Sequence, residues 1–146
     1  MALPVRSLPG PRLPKENTAI IQIGDDIIQP IQGIMPDSLG EYWISRALQR
    51  LNHRFIFQYR ILNTRNVKGA YVVDWLVLTT APMSTPLEFF GEYWHSGQMG
   101  SNDRFRLAVI ENHFQGRANP VEIIWSRDVL TKEDALDAVR GAVGVG

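Results

Sequence analysis

Tyr71-Val72-Val73-Asp74-Trp75-Leu76-Val77-Leu78 is the stretch on which the fold turns. Its β-branched and aromatic residues predict a strand, and it is far shorter than the roughly 20 apolar residues that cross a bilayer. An ionised Asp74 in such a strand costs several kcal/mol to desolvate unless it is paired, hydrogen-bonded or bound to metal. Alternation offers the other reading, in which Asp74 points to solvent from an edge strand while Val73 and Trp75 face the core.

Working outward, Phe55, Phe57 and Tyr59 alternate with Ile56, Gln58 and Arg60 as a preceding strand would, and the polar residues Asn63 to Gly69 join the two. On the other side, Thr79 to Pro86 reads as a turn-rich loop and Leu87 to Phe90 as a short third strand bounded by Gly91. A helix is expected to begin at Ser38, because Ser38-Leu39-Gly40-Glu41 has capping-box spacing and Ile44, Ala47, Leu48 and Leu51 recur at helical intervals. Its end falls near His53. Ser101 is expected to cap a second helix with Phe105, Ala108, Val109 and Phe114 as its apolar positions and Gly116 near its end. Val121 to Trp125 then gives a fourth strand, and Thr131 caps a last helix with Ala135, Leu136, Val139 and Val143 on one side. A strand reached through a helical crossover usually lies parallel in the same sheet. The order α-β-β-β-α-β-α therefore predicts an α/β fold, a mixed sheet with helices on both faces.

Residues 1–36 hold six of the nine prolines, and Ile20 to Ile23 with Ile27, Ile28, Ile31 and Ile34 read as extended, with a short hairpin turning at Gly24-Asp25-Asp26. The division expected is a proline-rich N-terminal arm over 1–36 and a domain over 37–146. The 146-residue length suits one domain. Arginines without acids open the chain, but Pro4, Pro9, Pro11 and Pro14 break the apolar helix that a targeting peptide would use. Without cysteine there is neither a disulfide framework nor a thiolate metal site, so a metal would need oxygen or imidazole ligands and an intracellular or intraviral setting is the easier reading. Lys plus Arg equals Asp plus Glu at 15 each. The charge is nevertheless uneven: no acid lies between Tyr42 and Val73, whereas Arg46, Arg50, Arg54, Arg60, Arg65 and Lys68 do. That stretch is either a basic face for nucleic acid or the solvated ends of a helix and two strands.

Gly40-Glu41-Tyr42 in the first helix, Lys68-Gly69 leading into Val73-Asp74-Trp75, Leu87 to Gly91 followed by Tyr93-Trp94-His95, and Asp103-Arg104 opening a helix occur in this order. Over roughly Ser38 to Leu136 the chain resembles the very-short-patch-repair, EDxHD-type branch of the PD-(D/E)XK (restriction-endonuclease-like) nucleases, and specifically a phage-type member. The resemblance implies a DNA endonuclease or nicking enzyme acting in repair, homing or phage DNA processing, with Mg²⁺ or Mn²⁺ as its cofactor. It implies Asp74 as the metal-ligating carboxylate, His95 as general acid or base, Glu41 and Asp103 completing the catalytic set, and Glu88 as a contingent second metal ligand. A divalent cation on oxygen ligands lowers the pKa of bound water, and a histidine titrating near neutrality moves the proton. Arg65, Lys68, Arg104 and Arg106 are the expected DNA contacts.

Each residue also has a structural reading. Glu41 holds the third position of the capping box, Asp103 suits the positive end of a helix dipole, and His95 fits a loop as well as a site. The family pattern wants a lysine or glutamine just before the glycine on the third strand, and this chain has Phe90, which neither binds phosphate nor polarises water. A different class of function follows: a catalytically degenerate nuclease fold serving as a structural or assembly component of a phage particle, its arm over 1–36 bound to neighbouring subunits. The corresponding locations are the cytoplasm of a bacterial host cell or the virion, with no membrane partner. No phosphate loop, nucleophile elbow or dinucleotide fingerprint points to a small-molecule enzyme.

Overall fold

The computed structural model describes residues 21–23, 26–61, 71–91 and 101–146. A small hairpin, β1 (Ile21–Ile23) and β2 (Asp26–Ile28), precedes α1 (Leu39–Arg50). Three strands follow, β3 (Phe55–Arg60), β4 (Val72–Val77) and β5 (Thr85–Phe90), then α2 (Ser101–Phe114), β6 (Glu122–Trp125) and α3 (Lys132–Val143). The sheet order is β3-β4-β5-β6, antiparallel across the first two pairings and parallel between β5 and β6. The crossover through α2 thus gives the parallel pair expected, and the chain is a mixed α/β domain.

Local chemistry sets most boundaries. Ser38 Oγ accepts the Glu41 amide at 3.2 Å, which starts α1 where the Ser38 half of the capping box predicts. Thr131 and Asp134 form the full reciprocal box at the start of α3. Ser101 is the first helical residue of α2 rather than its cap, and Gly116 takes the left-handed backbone just past the end of that helix (φ 79°). β5 begins two residues earlier than Leu87, with Pro86 opposite Leu76 near its start, where a missing amide is tolerated.

One face of the sheet carries the main core. Phe55, Phe57, Trp75, Val77, Leu87 and Phe89 pack against Ile44, Ala47 and Leu48 of α1 and Ala135 and Val139 of α3. Trp75 Nε1 donates to Ser45 Oγ at 2.9 Å, which satisfies the one polar atom that this indole takes into the core. α2 covers the other face. There the apolar pattern misled: Phe105 is 55% exposed, and the buried stripe is Asp103, Arg106 and Ile110.

The segment before α1 belongs in part to the domain. Ile28 and Ile31 are buried, and Ile31 joins the main core. Gln32 Nε2 donates to the Phe55 carbonyl at 2.6 Å, and the Phe57 amide donates to Gln32 Oε1 at 2.9 Å, so one side-chain amide caps the edge of β3 as a short strand would. The boundary expected at residue 36 thus cuts through residues that the domain itself uses. His53 ties the far end of the molecule, one ring nitrogen bonding Thr79 Oγ1 at 2.7 Å and the other the Gly144 carbonyl at 2.8 Å.

His113, in the last turn of α2, is held below the usual histidine value of 6.5 by desolvation and then by Arg117. A depressed histidine stays neutral in the folded chain at pH values where the unfolded chain takes up a proton. Its contribution is therefore fully present above the unfolded value and is lost as pH falls through that value toward the folded one. His113→Gln is expected to flatten the fall of the urea midpoint between about pH 7 and about pH 5. An identical slope in wild type and variant would refute this.

Candidate functional site

Asp74 lies on β4, a central strand between β3 and β5, and is 2% exposed, so the solvent-facing edge reading does not hold. Trp75 stands opposite Leu87, and this register brings Glu88 beside Asp74 on the face under α2, with Phe89 turned into the core on the other side. Glu88 is fully buried. The two carboxylates are bonded into each other's strands: the Asp74 amide donates to Glu88 Oε2 at 2.8 Å, and the Phe89 amide donates to Asp74 Oδ2 at 2.9 Å.

Arg106 completes the cluster. Its Nε donates to Glu88 Oε1, its Nη2 lies 3.8 Å from Asp74 Oδ1, and the same Nη2 donates to the Val72 carbonyl at 2.5 Å. Arg106 was expected at a DNA phosphate, but at 2% exposure it is committed to these buried partners instead. The physical reason is direct: two carboxylates under a helix require a nearby cation, and an arginine fork serves two acceptors at once. Arg104, two residues back, is exposed.

Glu41 is buried in the first turn of α1, one turn before Ser45 on the stripe turned toward Trp75. Asp103 is buried on α2, one turn before Arg106. Among the described residues no three of His, Asp and Glu gather closely enough to hold a metal ion, so Glu41, Asp74, Glu88 and Asp103 do not form one ligand set. As arranged, Asp74 and Glu88 do not fit a divalent ion: the guanidinium already occupies the position between their carboxylates, where a second cation would be repelled. His95, Arg65 and Lys68 lie outside the described residues, as do Tyr93 and Trp94. Phe90, where the family pattern has a polar residue, is fully buried with its ring edge-on to Trp125 at 5.6 Å.

Gln58 is a feature that sequence reasoning missed. It adopts the left-handed backbone (φ 54°) within β3, where the register Phe57–Trp75 and Tyr59–Val73 leaves it across from Asp74 and unpaired. Such a conformation in a non-glycine residue costs on the order of 1–3 kcal/mol, and residues of this kind cluster at functional sites. Nothing in the residue type signals it. Position 106 falls four residues before Ile110 on one helical face, a spacing that groups the two but does not say that their face is buried.

Among the described residues no helix is long and apolar enough to cross a membrane. Compared with family models, curated proteins and solved structures, the chain gives no match. Fold and site together define its class as a mixed α/β domain, with a four-stranded sheet carrying two central-strand carboxylates closed over by an arginine from the crossover helix.

Proposed function

We propose that this chain is a nuclease-type scaffold in which the hydrolytic site has become structural, and that it serves as a structural or assembly component rather than as an endonuclease. The observation that carries this reading is the buried Asp74–Arg106–Glu88 cluster, in which a guanidinium stands between the two acids best placed to ligate a metal. The buried Phe90 supports it from the next position of the same strand face, because it offers no group to polarise water. Neighbouring subunits are the proposed partners and a phage particle the proposed setting. The part of the chain before Ile27 is the proposed contact, a reading supported by its proline content and by Ile28 and Ile31 being already used by the domain.

The second reading, a Mg²⁺- or Mn²⁺-dependent DNA endonuclease using Asp74, Glu88 and His95, is favoured by the placement of Asp74 and Glu88 side by side on central strands, with the strained Gln58 across from them. Supercoiled plasmid separates the two. Incubated with Mg²⁺ or Mn²⁺, the purified wild-type protein is expected to leave the plasmid intact, and neither ion is expected to raise its melting temperature. Metal-dependent nicking by the wild type, abolished by both Asp74→Ala and His95→Ala, would replace the structural reading with the enzymatic one.

A further inference from the structure

A cleft of about 280 Å³ opens where α1 meets the start of α3, on the side of the sheet away from α2. Trp43, Arg46 and Arg50 line it from α1, at spacings of three and four residues that place them along one stripe of the helix. Lys132, Glu133 and Leu136 line it from α3.

The arginines are available. Among the described residues Arg46 is exposed and bonds only Gln49, Nη1 to Oε1 at 2.6 Å, and Arg50 is exposed with no acid partner. Trp43 adds a second kind of signal. It is half-buried, and one flank of its ring lines the cleft.

An anionic group for the arginines and a flat face for the half-buried ring are together what a nucleotide offers. Proteins that bind single strands combine cations along the backbone path with aromatic side chains on which bases stack. A cleft of this size takes a nucleotide and is too small for a folded partner, and a base inside a duplex could not reach it. Of the six basic residues in the acid-free stretch from Trp43 to Val73, Arg46 and Arg50 line the cleft, where they can draw a phosphate backbone.

We infer that the α1–α3 cleft binds one nucleotide of a single-stranded nucleic acid, with the base against Trp43 and the phosphate held by Arg46 and Arg50. The assignment does not rest on whether the Asp74–Glu88 cluster is catalytic, since that cluster lies under α2 on the opposite face. Oligonucleotide binding and plasmid cleavage are separate readouts.

The test is fluorescence anisotropy of a short fluorescein-labelled oligothymidylate across a salt series, with the full-length protein. The double variant Arg46→Glu/Arg50→Glu alters exposed side chains only, and Arg140→Glu, an exposed arginine outside the cleft, is the control. Wild type and control are expected to bind alike. The double variant is expected to bind at least about tenfold more weakly, and its slope of log affinity against log salt to be shallower by about 1.4, the contribution of two phosphate contacts on a single strand. Trp43→Ala, which removes the ring on which the base would stack, is expected to weaken binding without altering the salt slope. Equal binding by wild type and double variant would overturn the inference. So would tighter binding of a fluorescein-labelled polyglutamate peptide than of the oligonucleotide, which would assign the cleft to an acidic protein segment.

Discussion

Replacing Arg106 with alanine is expected to lower the stability of the domain by about 3–5 kcal/mol, the usual cost of removing one partner from a buried ion pair. Asp74, Glu88 and Arg106 are each almost wholly covered, so the two carboxylates would keep their desolvation penalty and lose the guanidinium that offsets it. For a chain of this length that corresponds to a fall in melting temperature of about 10 °C. Urea unfolding of Arg106→Ala measures the loss. The companion is Arg106→Met with Asp74→Asn and Glu88→Gln, which removes the charges together; because uncharged replacement of a buried ionic cluster is often neutral or better, this variant is expected to recover most of the stability. Recovery without any gain of metal binding fits a structural cluster. If Arg106→Ala unfolded at the wild-type midpoint, the cluster would not be holding the sheet to α2.

Trp75→Ala is the second large effect, about 3–5 kcal/mol from the loss of a fully buried indole and the cavity left behind. Trp75 sits at the middle of the main core, with its ring 6.0 Å from that of Phe57 and its Nε1 bonded to Ser45 of α1. The polar part is separable. Ser45→Ala leaves the indole N–H buried without its acceptor and is expected to cost about 1–3 kcal/mol, while Trp75→Phe combined with Ser45→Ala removes donor and acceptor together. Denaturant midpoints of the three variants form the comparison. Equal midpoints for Ser45→Ala and wild type would mean that the bond from α1 to β4 adds nothing to the packing.

These two residues mark how far the sequence could be read. Around Trp75 the sequence was legible: apolar spacing in Ile44, Ala47 and Leu48, alternation in Phe55 and Phe57, and capping chemistry at Ser38 and Thr131 are local properties, and local properties set the starts of α1 and α3, the succession of elements and most of the main core. The parallel β5–β6 pair followed from the handed, short connections that an α2 crossover allows.

Around Arg106 the reading failed, and the reason is physical. Hydrophobic patterning finds a buried helix face only when that face is apolar. The sheet beneath α2 presents Asp74 and Glu88, so the stripe turned toward it is Asp103, Arg106 and Ile110, while Phe105 stays exposed. Which residue answers a buried charge depends on what lies across the interface, and no spacing within one helix contains that. The same holds for Gln32 closing the edge of β3 and for Gln58 in its left-handed backbone opposite Asp74. The sequence by itself determined the elements, their order and the aromatic core, because these follow from periodicity and caps along the chain. Only the tertiary structure decided that the acids of β4 and β5 are answered by an arginine, because that pairing is made between residues 18 and more positions apart.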